Sequence, residues 1–274
     1  MDYWEEHLKA TELFRVEGLV CVVTGGANGL GSSIVEALAD NGADVVLLDR
    51  DAEALEALVA AGRARGWMIS GIAVDLTDRP DLRQRMADLA TQKGRLDVVF
   101  ANAGITAGPG FLTPDFERDP AGAIENIADD IWRRVVATNL SGVFATLQAA
   151  ALPMKAARRG RMIVTSSVAA WKTSPMVGTP YVATKAGVAH LVRQVASEMA
   201  AYNVLVNAIL PGPFLTRITT PKLEEGFKRA SPSHRAAKLQ EIQGLALFLA
   251  SAASSFVTGA HFVVDGGTLL GRAD

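Results

Sequence analysis

Short runs of β-branched and aliphatic residues alternate along this chain with longer segments rich in alanine, leucine, glutamate and arginine. Most of these runs are apolar at successive positions, which is typical of parallel strands that helices cover on both faces. The expected strands cover residues 19–23, 45–48, 68–74, 98–101, 162–165, 204–209 and 262–264. The expected helices cover residues 30–41, 51–65, 79–93, 124–158, 181–201 and 239–253. The alternation predicts a Rossmann-like, doubly wound α/β fold, in which helices flank a parallel sheet of about seven strands.

The chain shows no linker-like segment and no internal repeat, so residues 1–274 are expected to form a single dinucleotide-binding domain. Two segments, residues 105–130 and 214–233, interrupt the regular alternation and contain several prolines. Both follow expected strand ends, where open α/β sheets bind ligands, and long connections at such places often form lids. We therefore expect both segments to be substrate loops.

The composition excludes several classes of function. The 27 lysines and arginines nearly balance the 29 aspartates and glutamates, for a net charge of -2, which disfavours a nucleic-acid partner. The lone Cys21 rules out an internal disulfide and suits the reducing cytoplasm. The four histidines are scattered without the spacing of a metal site, so no metal is expected.

Neither end of the chain predicts a membrane segment. Residues 1–11 carry acids where a signal peptide needs bases, and they lack an apolar stretch. The longest uncharged stretch, residues 243–264, has a serine-containing centre and includes Gly259, so a helix, a turn and a strand explain it better than a membrane span. We expect a cytoplasmic protein with no membrane partner.

The first expected strand leads into the run Thr24-Gly25-Gly26-Ala27-Asn28-Gly29-Leu30-Gly31, and a helix follows. Glycine permits a tight turn and a close approach of main-chain N–H groups to a pyrophosphate, and the helix N-terminus adds partial positive charge. A glycine cluster alone is weak evidence, because any strand-to-helix turn tolerates glycine. With a strand before it, a helix after it and an acid ending the next strand, the turn predicts dinucleotide binding. The expected contacts are Gly25, Asn28, Gly29, Leu30 and Gly31.

Asp49 is the acid that ends the second strand. Its carboxylate could accept both hydroxyls of an adenosine ribose and would repel a 2′-phosphate, which favours NAD over NADP. Arg50 is the opposing signal, since a guanidinium can bind a phosphate. Asp49 could also serve only as a helix cap or a solvated turn residue.

Tyr181 and Lys185 stand four residues apart at the start of an expected helix, so their side chains share one helical face. Alone, such a pair would be read as two ordinary surface residues. Together with the glycine turn, it makes residues 16 to 267 resemble the short-chain dehydrogenase/reductase family. The resemblance implies an oxidoreductase that moves a hydride between a nicotinamide and a carbon bearing oxygen.

Further segments match the motifs of that family in order. They include Asn102-Ala103-Gly104, Thr138-Asn139-Leu140, Ser166-Ser167, Pro211-Gly212 with Thr216, and Val264-Asp265-Gly266-Gly267. The resemblance implies that the cofactor is bound by the glycine turn, by Asp49 and Arg50, by Tyr181 and Lys185, and by Asp75, Leu76, Asn102, Ala103, Gly104, Pro211, Gly212, Phe214 and Thr216.

The resemblance implies that Asn139, Ser167, Tyr181 and Lys185 are catalytic. Tyr181 would be the general base in oxidation and the acid in reduction, with its pKa lowered from about 10 by Lys185 and an oxidised nicotinamide. Lys185 could also bind the nicotinamide ribose. Ser167 would orient the substrate oxygen, although it lies one residue farther from Tyr181 than is usual. Ser166 remains an alternative, and it could instead have a structural role at the strand end. Asn139 would hold a proton-relaying water, or else bond local backbone at a helix kink.

The substrate pocket is expected to be mainly apolar and to accept a secondary alcohol or a ketone. Candidate lining residues are Phe111, Trp171, Met176, Val177 and Phe214, all of which could instead pack loops onto the core. A cluster of cations could meet an acidic substrate or could form a solvated lid face: Arg217, Lys222, Lys228 and Arg229.

Three other functions stay open: an NADP-dependent carbonyl reductase, a non-catalytic dinucleotide-sensing regulator, and an epimerase or dehydratase acting on a sugar nucleotide. The third is disfavoured because only residues 211–274 remain for a substrate domain. By resemblance, the long helices 124–158 and 181–201 would pack against their copies, giving a homotetramer or alternatively a dimer.

Overall fold

The computed structural model describes residues 9–217 and 219–271. Residues 1–8, on which most of the interpretation of the N-terminus rests, lie outside the described residues. Seven parallel strands form one sheet in the order β3-β2-β1-β4-β5-β6-β7. The strands are β1 (Val20–Thr24), β2 (Asp44–Asp49), β3 (Ile69–Ala73), β4 (Val98–Ala101), β5 (Gly160–Thr165), β6 (Val204–Pro211) and β7 (His261–Val264). The expected doubly wound parallel sheet is confirmed.

The α-helices of the described residues are α1 (Ala10–Leu13), α2 (Gly29–Asp40), α3 (Ala52–Ala64), α4 (Arg79–Lys93), α5 (Asp129–Val136), α6 (Val143–Ala157), α7 (Thr179–Met199), α8 (Pro221–Ala230) and α9 (Gln243–Ala250). Both faces of the sheet are covered by helices. One apolar layer packs the sheet against α4, α6 and α7, and the other packs it against α2, α3 and α9.

Strand β1 shows why the apolar runs lack alternation. Val20 and Val22 point into one layer, whereas Cys21 and Val23 point into the other. All four side chains are buried. Successive side chains of a strand point to opposite faces, so a strand covered on both faces needs apolar residues at every position.

The order of the strands brings the expected site residues together. Strand β1 pairs with both β2 and β4, so the direction of winding reverses at this point, where open α/β sheets bind their ligands. Thr24 lies beside Leu48 on one side and Ala101 on the other. Gly25 and Asn102, which follow β1 and β4, therefore meet Asp49, the last residue of β2, at one edge of the sheet.

The helix expected over residues 124–158 is interrupted. A 3₁₀ turn covers Ile124–Asn126, α5 begins at Asp129, and a widened π-helical turn, Ala137–Gly142, separates α5 from α6. Among the described residues, the run 129–157 is the one helical stretch long and apolar enough by composition to span a membrane. Its inner side packs in the core of the protein.

The expected loop 214–233 contains a helix, α8, that the sequence interpretation missed. Thr220 caps α8 by accepting the N–H of Leu223 at 3.2 Å, and Pro221 occupies the first turn. A cap followed by proline is a helix-start signal that could have been recognised. The helix expected over 239–253 is likewise shorter, because 3₁₀ turns precede and follow α9.

Candidate active site

A cavity of about 1230 Å³ opens at the carboxyl ends of the strands. Pockets for small ligands usually measure roughly 300–1,000 Å³, so this one has room for a dinucleotide and a second molecule. Its lining includes Gly25, Asn28, Gly29, Leu30, Asp49, Arg50, Asp75, Leu76, Asn102, Ala103, Gly104, Ser167, Tyr181, Lys185, Pro211, Gly212, Phe214 and Thr216. Gly31 and Asn139 are outside this lining, and they contact residues that belong to it.

The glycine turn holds the start of α2 close to β4. Gly25 has a φ of +63°, which favours glycine, and a Cβ there would stand 2.7 Å from the Cα of Ala103. A Cβ at Gly31 would collide with the carbonyl oxygen of Gly25. Any other residue at position 25 or 31 would therefore require the backbone to shift. The first N–H groups of a helix have no partner within the helix, and Gly29 and Leu30 at the start of α2 line the cavity, so this end of α2 could bind a phosphate.

Asp49 is fixed at the end of β2 by two main-chain donors. Its Oδ2 accepts the N–H of Ala27 at 3.1 Å and its Oδ1 accepts the N–H of Asp51 at 3.1 Å. The carboxylate thus ties the glycine turn to the start of α3. Asp75, beyond β3, accepts both the N–H and the hydroxyl of Thr77, each at 2.8 Å. Both acids line the same end of the cavity.

Asn102 joins three strand ends. Its Nδ2 donates to the carbonyl oxygens of Thr24 at 3.3 Å and Gly25 at 3.1 Å. Its Oδ1 accepts the hydroxyl of Thr165 at 3.0 Å. One side chain therefore positions the glycine turn against the end of β5, where the serines follow.

Tyr181 lies in the first turn of α7, where the hydroxyl of Ser167 is close enough to lower the pKa of the phenol. The Oγ of Ser167 also accepts the N–H of Ala169 at 3.1 Å, which caps a short 3₁₀ turn after β5. Ser166 points elsewhere: its hydroxyl donates to the carbonyl oxygen of Lys185 at 3.0 Å and is buried. Of the two serines, Ser167 is the one that can act with Tyr181, and Ser166 fastens β5 to α7.

Lys185 lies one turn after Tyr181. Its Nζ donates to the carbonyl oxygen of Thr165 at 2.8 Å and stands 5.5 Å from the centre of the Tyr181 ring. Burial lowers the pKa of Lys185 to about 8, because desolvation disfavours the charged form. The ammonium is thus held between the end of β5 and the phenol.

The pKa of Tyr181 is raised in the protein alone. Burial is the larger cause, and the nearby hydroxyl of Ser167 opposes it. Lys185 therefore does not by itself lower the pKa of Tyr181 in the way that the sequence analysis expects.

Asn139 lies in the π-helical turn, fully buried. Its Oδ1 accepts the N–H of Ile105 at 2.8 Å, and its Nδ2 donates to the carbonyl oxygen of Ile105 at 2.9 Å. A weaker contact of 3.4 Å joins Nδ2 to the hydroxyl of Thr184 on α7. The Asn139 side chain thus connects the start of the 105–130 segment to the π-helical turn and to α7. Its hydrogen bonds go to residues distant in sequence and not to the local backbone.

The substrate end of the cavity differs from expectation at two residues. Met176, Val177 and Phe214 line it as expected. Trp171 does not: it is half exposed, and its ring stands 5.7 Å from that of His261. Phe111 is also outside the lining, and Phe116 of the same segment takes that place.

The sequence interpretation missed several residues at this end, including Thr106, Lys172, Phe116 and Phe227. Of the four cations considered for an acidic substrate, only Arg217 lines the cavity. Lys222 pairs with Asp115, and Lys228 pairs with Glu224 at 3.2 Å. Within residues 9–217 and 219–271, no group of three His, Cys, Asp or Glu side chains could hold a metal ion.

Comparisons with known proteins agree with this geometry. A family model described as enoyl-(acyl carrier protein) reductase matches residues 25–268. The short-chain dehydrogenase/reductase PhomF of Diaporthe leptostromiformis is 32% identical, over 96% of this chain and 95% of its own. The chain belongs to the short-chain dehydrogenase/reductase family. This member is accordingly an oxidoreductase that acts on CH–OH groups with NAD or NADP.

The fold of this chain is also similar to solved structures of known enzymes. A gluconate 5-dehydrogenase from Burkholderia cenocepacia, in complex with NADP and tartrate, superposes with a TM-score of 0.86 at 29% identity, over 96% of this chain and 99% of that one. A 3-oxoacyl-[acyl-carrier protein] reductase from Brucella melitensis, with bound NAD, superposes with a TM-score of 0.82 at 30% identity, over 97% of each chain. The family likeness therefore covers the chain and leaves the preferred nicotinamide cofactor and the substrate to be argued from the site.

Proposed function

We propose that this short-chain dehydrogenase/reductase interconverts a secondary alcohol and a ketone, with NAD as the hydride carrier. The observation that carries the proposal is one continuous cavity with the glycine turn and Asp49 at one end and the pair of Ser167 and Tyr181 at the other. A merely sensing protein has no need of that pair.

The residues present fit a nicotinamide dinucleotide. The turn from Gly25 to Gly31 would hold the pyrophosphate, because a Cβ at either glycine would fill or distort the space beside the helix start. Asp49 and Asp75 would meet the adenosine half. Asn102 and Lys185 would hold the nicotinamide half, with Pro211, Gly212 and Thr216 on the side of β6. When bound, the cofactor accepts or returns the hydride of the reaction.

The protein's own groups handle the proton. Tyr181 removes the proton of the alcohol in oxidation and returns it in reduction. Ser167 hydrogen-bonds both the phenol and the substrate oxygen, which orients that oxygen toward Tyr181. The ammonium of Lys185 stabilises negative charge on the phenol, and its bond to Thr165 keeps it in place.

Asp49 supports a preference for NAD. The carboxylate lines the cavity and is held by two N–H groups, so it cannot swing aside without losing both. Two unit charges about 4 Å apart interact by about 4 kcal/mol at an effective dielectric constant near 20, which is enough to disfavour a 2′-phosphate. No lysine or arginine occurs in the turn 25–31.

Arg50 supports the second candidate, an NADP-dependent carbonyl reductase. The side chain is exposed and lines the cavity next to Asp49, where a guanidinium could bind the extra phosphate. The chemistry assigned to Tyr181 would be the same.

We also propose a homo-oligomer, a tetramer or a dimer, located in the cytoplasm. Trp132, Phe144 and Leu152 expose apolar side chains along the run 129–157, and a second copy could cover them. Sedimentation that gives a monomer at micromolar concentration would reject the oligomer.

The proposed reaction is tested with a panel of secondary alcohols, polyols and ketones, each offered with NAD, NADP or their reduced forms and followed by the absorbance of the reduced cofactor. We expect turnover with at least one pair and a higher kcat/KM with the NAD couple. Cofactor binding without turnover of any alcohol or ketone would favour the sensing protein instead.

A further inference from the structure

Lys172 lies at the substrate end of the cavity and has no role in the mechanism above. It follows the short 3₁₀ turn, Val168–Ala170, that Ser167 caps. The same turn that presents the Ser167 hydroxyl to Tyr181 therefore leads directly to an ammonium in the same cavity.

The acidic residues that line the cavity lie together at the adenosine end, where Arg50 accompanies them. The acidic lining residues that the structure describes are Asp49, the last residue of β2, Asp51, which follows β2, and Asp75, which follows β3. At the substrate end of the cavity, the charged lining residues within the described chain are Lys172 and Arg217. The remainder of that end is apolar or carries hydroxyl groups. Such a distribution disfavours a cationic substrate and favours an anionic one.

The ammonium of Lys172 is held in place by a neutral partner. Its Nζ donates to the main-chain carbonyl oxygen of Thr268 at 2.6 Å. An ammonium has three N–H donors, so this bond leaves others for a ligand. Partial burial lowers the pKa of Lys172, and the more distant charge of Asp265 opposes that change.

Asp265 is itself occupied by the backbone. Its two carboxylate oxygens accept the N–H groups of Gly267 at 2.8 Å and Leu269 at 2.7 Å. Among the described residues, no carboxylate lies within 4.0 Å of the Lys172 or Arg217 cation. A partly desolvated cation without a close counter-ion gains most from an incoming anion.

We infer that Lys172, assisted by Arg217, binds a carboxylate of the substrate. The substrate class is then a keto acid and the corresponding hydroxy acid, with apolar carbon between the carboxylate and the reacting carbon. Met176, Val177 and Phe214 would contact that carbon. The inference deepens the proposed function and rests on it for the reaction, whereas the anion site can be tested without turnover.

The competing explanation is a structural one. Lys172 could serve only to fasten the C-terminal segment through Thr268. In that case its loss would disturb every substrate alike, whereas loss of an anion site would affect only the charged member of a matched pair.

The experiment compares methyl ketones that differ in charge. Acetoacetate and levulinate are each paired with their methyl ester, and saturating NADH is present. We expect wild-type enzyme to prefer at least one acid over its ester by tenfold or more in kcat/KM. Lys172→Met should lower kcat/KM for that acid about tenfold, which corresponds to about 1.4 kcal/mol, and should leave the ester within about twofold.

Two further variants separate charge from structure. Lys172→Arg, which keeps the charge and can still donate to Thr268, should retain most of the preference for the acid. Lys238→Met removes an exposed lysine outside the cavity and should change neither member of the pair. Equal losses on acid and ester in Lys172→Met, or no preference in the wild type, would overturn the inference.

A binding measurement keeps the inference independent of catalysis. Levulinate is titrated calorimetrically into enzyme saturated with NAD, which has no hydride to give, so that binding occurs without reaction. Wild type should bind levulinate and Lys172→Met should bind it at least tenfold more weakly. If esters are reduced but the carboxylate brings no advantage, the proposed function stands and this inference fails. If levulinate binding depends on Lys172 but no probe is reduced, the anion site stands and the proposed reaction fails.

Lysine also binds phosphate, so a phosphate arm is included. Dihydroxyacetone phosphate is compared with dihydroxyacetone in the same assays. A Lys172-dependent preference for the phosphate, without one for any carboxylate, would overturn the assignment of a carboxylate.

Discussion

The Nζ of Lys185 donates its hydrogen bond to the carbonyl oxygen of Thr165 rather than to a carboxylate. Lys185 is only 3% exposed, and its pKa is lowered from 10.5 to about 8 by desolvation. Between these two values the unfolded chain holds a proton that the native protein has released. The free energy of unfolding should therefore rise with pH in this window, and the desolvation cost is fully present below it.

We expect the free energy of unfolding of Lys185→Met not to show this rise with pH. In the wild type the contribution of Lys185 should be on the order of 2 kcal/mol between about pH 8 and pH 9.5. Urea unfolding at several pH values measures the difference, with Lys238→Met as a control for the lost charge. Parallel stability curves for wild type and Lys185→Met would show that the buried ammonium does not titrate in this range.

Tyr181→Phe should abolish turnover while cofactor binding persists. The phenol is the proposed proton carrier, and general acid–base groups contribute roughly 10²–10⁴-fold, so kcat should fall at least a hundredfold. NADH fluorescence should give a Kd within about threefold of wild type. Tyr202→Phe is the matched control, because Tyr202 lies outside the cavity, against Lys155. Turnover within tenfold of wild type would remove Tyr181 from the mechanism.

Gly31→Ala should weaken cofactor binding. A Cβ at Gly31 would collide with the carbonyl oxygen of Gly25, so the turn has to open and the N–H groups at the start of α2 have to move. We expect the Kd for NADH to rise at least tenfold. Gly244→Ala is the control, because a Cβ there meets no atom within 4 Å and alanine favours a helix. Equal NADH affinity in both variants would show that the turn does not bind the cofactor.

The parts of the fold that the sequence predicts best are those governed by local signals. Helix α4 has the expected bounds because Asp78 caps its start, Pro80 occupies its first turn and Gly94 ends it with a φ of +68°. The strands are predictable because both faces of the sheet are buried, which leaves continuous apolar runs. The expected site residues meet because parallel strands end at one edge of the sheet.

The features that the sequence did not predict depend on distant partners. The π-helical turn holds Asn139, whose side chain bonds Ile105, 34 positions away. The Lys172 side chain is held at the cavity by a hydrogen bond to the carbonyl oxygen of Thr268, 96 positions away. Trp171 was expected in the pocket, but its ring lies beside His261 of β7 instead. No periodicity or motif encodes such pairings.

Asp49→Asn should relax the preference for NAD. The substitution removes the charge but keeps a side-chain oxygen that can accept the N–H of Ala27. We expect the ratio of kcat/KM with NAD to that with NADP to fall at least tenfold, because the repulsion of a 2′-phosphate is lost. Asp88→Asn, on the outer surface of α4, is the charge control. An unchanged ratio would show that the Asp49 carboxylate does not meet the ribose.

An ion pair connects the two segments that border the substrate end. Lys222 of α8 forms a salt bridge with Asp115 of the 105–130 segment. Phe227 and Phe116 of the same two segments line the cavity, so the ion pair joins two segments that contribute to its lining. The side chains are 60% and 48% exposed, and such pairs stabilise by at most about 1 kcal/mol.

Breaking this ion pair should make the two segments at the substrate end of the cavity more mobile. It should not change the catalytic step. We expect Asp115→Asn or Lys222→Gln to raise the substrate KM up to about fivefold, with kcat unchanged, and to speed hydrogen exchange in α8. The double variant Asp115→Lys with Lys222→Asp should recover most of the affinity, because the opposite charges again face each other. Lys228→Gln is the control, since its partners Glu224 and Glu225 belong to α8 itself. If the double variant shows the sum of the single losses, the pair does not hold the two segments together.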